Sequence, residues 1–335
     1  MLGQTYLITG GAGFIGSHLA DALLARGDRV IALDNLSTGR LSNLDGARSL
    51  PSFRFVHGSV LDELVVDELV HECDVVVHLA AAVGVKLIVE QPLRSLTTNI
   101  RGSEIVMEAS HRYRRKVMVT STSEIYGKNT AVLTEKSDRI LGSPSVARWA
   151  YSTAKAVDEI LAYAYHKERG LETIVVRLFN TVGPRQSPAY GMVIPRLVRQ
   201  AVAGGRLTVY GDGEQTRCFC HVADVVQALQ LLLDEPAAVG EGFNVGASEE
   251  ISILDLAREI AGRTGDRSTV ELIPYDQAYE SGFEDMLRRV PDTTKIRTLT
   301  GWQPRRNLDD ILGEAIEEAR LELDRAEVFP ITASS

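Results

Sequence analysis

Thr5-Tyr6-Leu7-Ile8-Thr9-Gly10-Gly11-Ala12-Gly13-Phe14-Ile15-Gly16 decides the fold. A short apolar run enters a glycine turn. Phe14, Ile15, Leu19, Leu23 and Leu24 then recur at helical spacing up to Arg26-Gly27. The order is strand, turn, helix, and Gly11, Gly13 and Gly16 fall in the spacing G-x-G-x-x-G, which is informative in that context. Glycines there permit a tight turn and let the backbone approach a pyrophosphate on the helix N-terminus. Gly10, Gly13, Phe14, Ile15 and Gly16 are therefore candidate cofactor positions. A second apolar run, Val30-Ile31-Ala32-Leu33, ends at Asp34, where such a motif places its acidic residue. A carboxylate there accepts both ribose hydroxyls of NAD and repels a 2′-phosphate, so the expected cofactor is NAD rather than NADP.

Working outward, Phe53–His57 reads as a strand, Asp62 to about Glu72 as a helix, and Val75–Leu79 as an apolar strand. Ala80-Ala81-Ala82 follows, small residues at a strand end where a cofactor would press on backbone. His78 lies inside the apolar run and reads as a packed histidine. Leu93–Arg112 is helical, Lys116–Thr120 and Glu172–Arg177 are strands, and a helix starts near Tyr151. This alternation predicts an α/β fold: a Rossmann-type, doubly wound parallel sheet. Beyond Asn180 the chain turns irregular. A helix is expected over Met192–Ala203, strands over Leu207–Tyr210 and Thr216–His221, and a helix over Asp224–Leu233. Asn244-Val245-Gly246 reads as a last short strand, followed from Ser252 by two helices and loops, and Ala326–Ser335 as a loosely held tail. The expected division is a cofactor domain over 1–180 plus about 222–246, and a smaller α/β substrate-binding lobe over 181–221 and 247–330.

The chemistry concentrates between Thr120 and Lys155. Thr120-Ser121-Thr122-Ser123-Glu124-Ile125-Tyr126-Gly127 sits at the carboxyl end of a strand, where open α/β sheets bind ligands. Tyr151 and Lys155 share one helix face at i, i+4. An ammonium about 4 Å from a phenolate attracts it by roughly 4 kcal/mol at an effective dielectric near 20, about three pKa units before desolvation is subtracted. Such a tyrosinate could take a proton from a substrate hydroxyl while hydride leaves the same carbon, and Thr122 could hydrogen-bond that hydroxyl.

Composition narrows the function classes. The chain has 335 residues, 44% hydrophobic and 24% charged, as in an ordinary globular protein large enough for two lobes. A net charge of −9 argues against bulk attraction to nucleic acid, so an anionic ligand must be met by local arginines. Cys73, Cys218 and Cys220 lack metal-ligand spacing, which predicts no metal site, no disulfide framework and a reducing cytoplasm. Cys218 and Cys220 alternate along the expected strand and would share a face. The N-terminus runs straight into a strand, which leaves no room for a signal peptide. No apolar run approaches the roughly 18 residues of a membrane span.

Together these motifs resemble the extended short-chain dehydrogenase/reductase family, in its branch of NAD-dependent nucleotide-sugar epimerases, dehydratases and decarboxylases. The resemblance runs from about Thr5 to Gln303. Besides the stretches above it rests on Asp34-Asn35, Leu79-Ala80-Ala81, Asn99, Arg177–Arg185 and Tyr210–His221. It implies Thr122, Tyr151 and Lys155 as the catalytic trio, and Asn35, Ser59, Val60, Leu79, Ala80, Ala81 and Asn99 as further cofactor contacts, alongside Tyr151 and Lys155. Ser59 stands where members commonly have Asp near the adenine. Ser123, Asn180, Arg185, Arg217 and Arg289 are implied substrate contacts, and forked guanidinium groups suit phosphate oxygens. The implied substrate is a UDP-linked sugar, and the implied assembly is a homodimer through the Leu93–Arg112 and Tyr151–Arg169 helices.

Glu124 marks the fork among reactions. Simple 4-epimerases usually lack a carboxylate at this position, dehydratases have Asp-Glu, and UDP-glucuronate decarboxylases have Ser-Glu, as Ser123-Glu124 here. Arg148-Trp149 and Arg217-Cys218-Phe219 also resemble a bacterial decarboxylase, whereas Ala82–Pro92 resembles the epimerases. The sequence reading leans to a 4-epimerase of a UDP-hexose or UDP-hexuronate, working through a transient 4-keto sugar with NAD recycled. Its alternative is a UDP-glucuronate decarboxylase forming UDP-xylose or a 4-keto-pentose, ahead of a 4,6-dehydratase.

Overall fold

The apolar runs pair into one seven-stranded sheet in a computed structural model, which describes residues 3–84, 90–187, 192–265, 268–278 and 286–328. The strand order is Gly242–Val245, Thr173–Leu178, Lys116–Thr122, Val75–His78, Thr5–Thr9, Arg29–Asp34, Phe53–His57, and every pairing is parallel. Chain order reverses between Thr5–Thr9 and Val75–His78. A crevice opens at such a reversal, at the carboxyl ends of the strands.

Strand alternation sends side chains to two cores. Tyr6, Ile8, Val75 and Val77 pack with Leu19 and Leu23 of the Phe14–Ala25 helix and with Val225 and Leu229 of the Val222–Asp234 helix. Leu7 and Val76 face the other way, onto Val66, Val106 and Ala162 of helices Glu63–Glu72, Gly102–Arg112 and Ala150–Arg169. Burial on both faces explains why these strands read as continuous apolar runs. A third core, with Leu197, Leu207, Leu256, Ile260 and Ile311, belongs to a smaller C-terminal lobe.

Several expected boundaries move. The strand expected to end at Thr120 continues to Thr122, because its register with Thr173–Leu178 pairs Thr122 with Leu178. The helix expected over Leu93–Arg112 starts at Pro92 and contains a wider π turn at Thr97–Arg101. Thr216–His221 is two strands, since Thr216–Cys218 pairs antiparallel with Glu250–Ser252 and Cys220–His221 pairs parallel with Thr181–Val182. The two thiols therefore lie in different sheets instead of sharing a face, and both are buried. After Ser252 the described residues form four helices, Ile253–Thr264, Tyr275–Ala278, Thr294–Thr300 and Leu308–Val328, in place of the two expected. Within the epimerase-like stretch 82–92, residues 85–89 lie outside the described residues, as do 188–191 and the end of the expected tail, 329–335. Among the described residues, no helix is long and apolar enough to cross a membrane.

Candidate active site

The carboxyl ends of the strands open into a cavity of about 660 Å³. Its first wall is the glycine turn. Gly10 has φ +72°, and a Cβ added there would lie 2.9 Å from the Ala80 nitrogen; at Gly16 it would lie 2.2 Å from the Gly10 carbonyl. Only glycine fits both places. The helix starting at Phe14 has no side-chain cap, and Phe14, Ile15 and Gly16 at its open N-terminus line the cavity.

Asp34 closes the far end of this wall. Its Oδ2 accepts from the Ala12 N–H at 3.0 Å and its Oδ1 from the Leu36 N–H at 2.7 Å, leaving each oxygen a lone pair for a ribose hydroxyl. Burial raises its carboxyl above the usual range against those two hydrogen bonds. Asn35, Ser59, Val60, Leu79, Ala80 and Ala81 also line the cavity. Ser59 Oγ accepts from the Leu61 N–H at 3.2 Å, within its own turn. This cradle, with an open helix end and a carboxylate at its tip, fits a dinucleotide.

Asn99 is placed differently from its expected role. It is buried, does not line the cavity, and grips Ala82. Its Oδ1 accepts from the Ala82 N–H at 2.8 Å and its Nδ2 donates to the Ala82 carbonyl at 3.2 Å. It shapes the cavity wall from behind. His78 sits between Thr9 Oγ1 at 2.8 Å and Ser103 Oγ at 3.1 Å, and burial pulls its imidazole down to about 3. It is a neutral, packed histidine.

The second wall carries the candidate acid/base groups. Thr122 ends its strand, and its Oγ1 accepts from the Glu124 N–H at 3.2 Å, fixing the Ser123–Tyr126 turn. Ser152 Oγ donates to the Glu124 carbonyl at 2.8 Å and ties that turn to the Tyr151 helix. Arg148 donates to both oxygens of Glu124, at 2.6 and 3.1 Å. Arg289 donates to Ser123 Oγ at 3.3 Å and Asn180 Oδ1 at 2.9 Å, with its Nη1 3.7 Å from Glu124 Oε1. Burial alone would raise the Glu124 carboxyl, but Arg148, then Arg289 and Arg217, hold it below the usual range. Glu124 is ionised at neutral pH. Arg148 is legible in the sequence only as half of an Arg-Trp pair; no local pattern says which carboxylate it holds.

Two expectations change. The Lys155 ammonium donates to Asp158 Oδ2 at 2.8 Å, inside the protein. Burial is the main influence on the Tyr151 phenol; Glu124 and Asp158 add to it, Arg148 opposes, and the net effect is well above the usual tyrosine range. The acidified phenol expected from the Tyr–Lys spacing is therefore not produced by the chain's own groups: burial raises the phenol most, and the Lys155 ammonium is paired with Asp158 one helical turn on. Arg185 lines the cavity, but its guanidinium pairs with Asp21 at 2.7 Å and its N–H donates to Glu318 at 2.9 Å. Asn180 and Arg217 line the cavity as expected, with Asn180 Nδ2 on the Cys218 carbonyl at 2.9 Å and Arg217 Nη1 on the Thr216 carbonyl at 2.8 Å.

Comparison with known proteins decides the family. The profile of the family described as GDP-mannose 4,6 dehydratase matches residues 7–315. The chain belongs to this family, the extended short-chain dehydrogenases/reductases that modify nucleotide sugars with NAD. Among its members, a UDP-N-acetyl-alpha-D-glucosaminuronate decarboxylase of Bacillus cytotoxicus is 39% identical over 312 residues, 93% of this chain and 96% of the relative. A UDP-glucuronic acid decarboxylase 1 of Xenopus tropicalis is 35% identical, covering 95% of this chain and 72% of the relative. Solved relatives include the UDP-glucose 4-epimerase of Thermotoga maritima, with TM-score 0.86, 31% identity and coverage of 95% and 99%. The UDP-glucuronic acid 4-epimerase of Bacillus cereus, solved with UDP-glucuronic acid and NAD, has TM-score 0.86, 28% identity and coverage of 95% and 99%. Sequence relatives thus weigh toward the decarboxylase, against the 4-epimerase favoured by the sequence reading.

Proposed function

We propose that the protein is a UDP-hexuronate decarboxylase that binds NAD, takes UDP-glucuronate or its 2-acetamido counterpart, and releases CO₂. The observation that carries this reading is the Ser123-Glu124 pair held between Arg148 and Arg289, supported by decarboxylase relatives, one of them 39% identical. Arginines gathered at one end of the cavity suit a substrate bearing a diphosphate and a carboxylate.

Bound NAD supplies a reversible hydride acceptor at the sugar C4. Tyr151 takes the C4 hydroxyl proton, Thr122 orients that hydroxyl, and Lys155 supplies positive charge to the pair. The 4-ketone makes the hexuronate a β-keto acid. The C5–C6 bond then breaks, CO₂ leaves, and the electron pair moves into an enolate, after which C5 takes up a proton. Since Glu124 is ionised at neutral pH, its part is to orient the proton source and the C6 end, held rigid by Arg148. With the hydride returned to C4 the product would be a UDP-pentose and NAD would be regenerated; a 4-keto-pentose released earlier would leave the cofactor reduced, so each turnover would consume one NAD. We also propose a homodimer through the helices at Pro92–Arg112 and Ala150–Arg169, on which Leu93 and Ile160 are 77% and 61% exposed.

The test is incubation with UDP-glucuronate and UDP-N-acetylglucosaminuronate, each labelled with ¹³C at C6. Labelled CO₂ in step with a UDP-pentose is the expected result. A UDP-hexuronate inverted at C4 with its label retained would establish the epimerase instead.

A further inference from the structure

The Ala150–Arg169 helix buries two consecutive carboxylates, Asp158 and Glu159. Glu159 has an evident partner, the Arg177 guanidinium, which reaches both its oxygens and also Tyr126. Asp158 has Lys155, one helical turn back. It is fully buried, and its Oδ1 has no hydrogen-bond partner among the described residues. An interior carboxylate with one satisfied oxygen costs stability compared with an apolar residue, so its presence beside the Tyr–Lys pair calls for a role.

We propose that Asp158 is a positioning residue: it docks the Lys155 ammonium in the interior and sets how much of that charge reaches Tyr151. The inference rests on Tyr151 and Lys155 being the acid/base pair and not on whether decarboxylation or epimerisation follows. The groups around the phenol are Glu124 and Arg148 from the second wall, and Asp158 on its own helix. The groups around the ammonium are Asp158 and the neutral His78 of the Val75–His78 strand. Of the two carboxylates near the phenol, Glu124 is already matched by Arg148. Asp158 acts in two ways: its own charge disfavours the phenolate, and it draws off the cation that would favour it. The arrangement keeps the resting Tyr151 protonated, so the phenol must release that proton as substrate and cofactor bind before it accepts the one on the C4 hydroxyl.

The test compares wild type with Asp158→Asn, whose amide oxygen still accepts from Lys155 but carries no charge, and with Asp158→Glu, which restores the charge. Each is titrated for tyrosinate absorbance at 295 nm, with and without Tyr151→Phe to isolate the Tyr151 step. Each is also assayed across pH with UDP-glucuronate and NAD. Asp158→Asn is expected to move both the Tyr151 step and the acid limb of kcat/KM down by at least about one pH unit, with Asp158→Glu closer to wild type. An unmoved step in folded Asp158→Asn overturns the proposal. Should that variant fail to fold, Asp158→Ser, with the charge removed and an oxygen retained, is read the same way. Full activity in Tyr151→Phe would sink the acid/base assignment itself, a separate failure.

Discussion

Arg148 holds both carboxylate oxygens of Glu124 across 24 positions of sequence, with the guanidinium 3% and the carboxylate 14% exposed. Removing one partner of such a pair leaves a buried charge uncompensated, at a cost of about 3–5 kcal/mol. Arg289 lies 3.7 Å from the same carboxylate and offsets part of this. Arg148→Met is expected to lose about 3 kcal/mol in denaturant unfolding at pH 7, and Glu124→Gln to abolish most CO₂ release while the protein stays folded. Unchanged stability in Arg148→Met would show that the pair contributes nothing.

The same pair has a pH signature. The folded carboxyl of Glu124 is held below its ordinary value, so the stabilisation is present above the unfolded pKa and is lost as pH falls through the folded one. Wild-type stability, followed by urea unfolding from pH 7 down to about 3, should therefore fall more steeply than that of Glu124→Gln. Parallel curves for the two proteins would remove Glu124 from the pH dependence.

In the proposed mechanism, Tyr151→Phe deletes the hydroxyl that exchanges a proton with the sugar. Turnover of the accepted UDP-hexuronate should fall by about three orders of magnitude, while calorimetric affinity for UDP changes little. Activity within tenfold of wild type would mean that another group performs the transfer.

The cradle formed by Gly10, Gly16 and Asp34 should hold NAD through purification. Denaturing the purified protein and analysing the supernatant should release NAD or NADH and no NADP. Asp34→Ala should weaken NAD binding by at least tenfold, since two ribose hydroxyls lose a charged acceptor worth about 1.5–3 kcal/mol.

Ile160, 61% exposed on the Ala150–Arg169 helix, tests the assembly. Light scattering at micromolar concentration should give a dimer mass for wild type and a monomer mass for Ile160→Glu. A wild-type monomer would refute the dimer.

Local order is legible in the residue pattern. Strand, glycine turn, helix and terminal Asp34 form a short-range motif, and the apolar runs that follow read as strands because a parallel sheet buried on both faces needs apolar residues throughout. The lobe is less legible. Thr216–Cys218 and Cys220–His221 look like one strand because the break at Phe219 comes from two different partner strands, Glu250–Ser252 and Thr181–Val182, which no local pattern encodes.

The site divides along the same line. The sequence by itself determined the Rossmann-type architecture, the cofactor cradle and the positions of Thr122, Glu124, Tyr151 and Lys155, because each depends on residue type and spacing within one element. Only the tertiary structure decided which charges meet. Packing chose Glu124 for Arg148, Asp21 for Arg185 and the Ala82 backbone for Asn99, partners 24, 164 and 17 positions away, whereas Lys155 and Asp158 lie one turn apart on a single helix. The reason is physical: a buried charge takes the partner that the register of its elements brings within about 3 Å, and that register is a property of the whole folded chain.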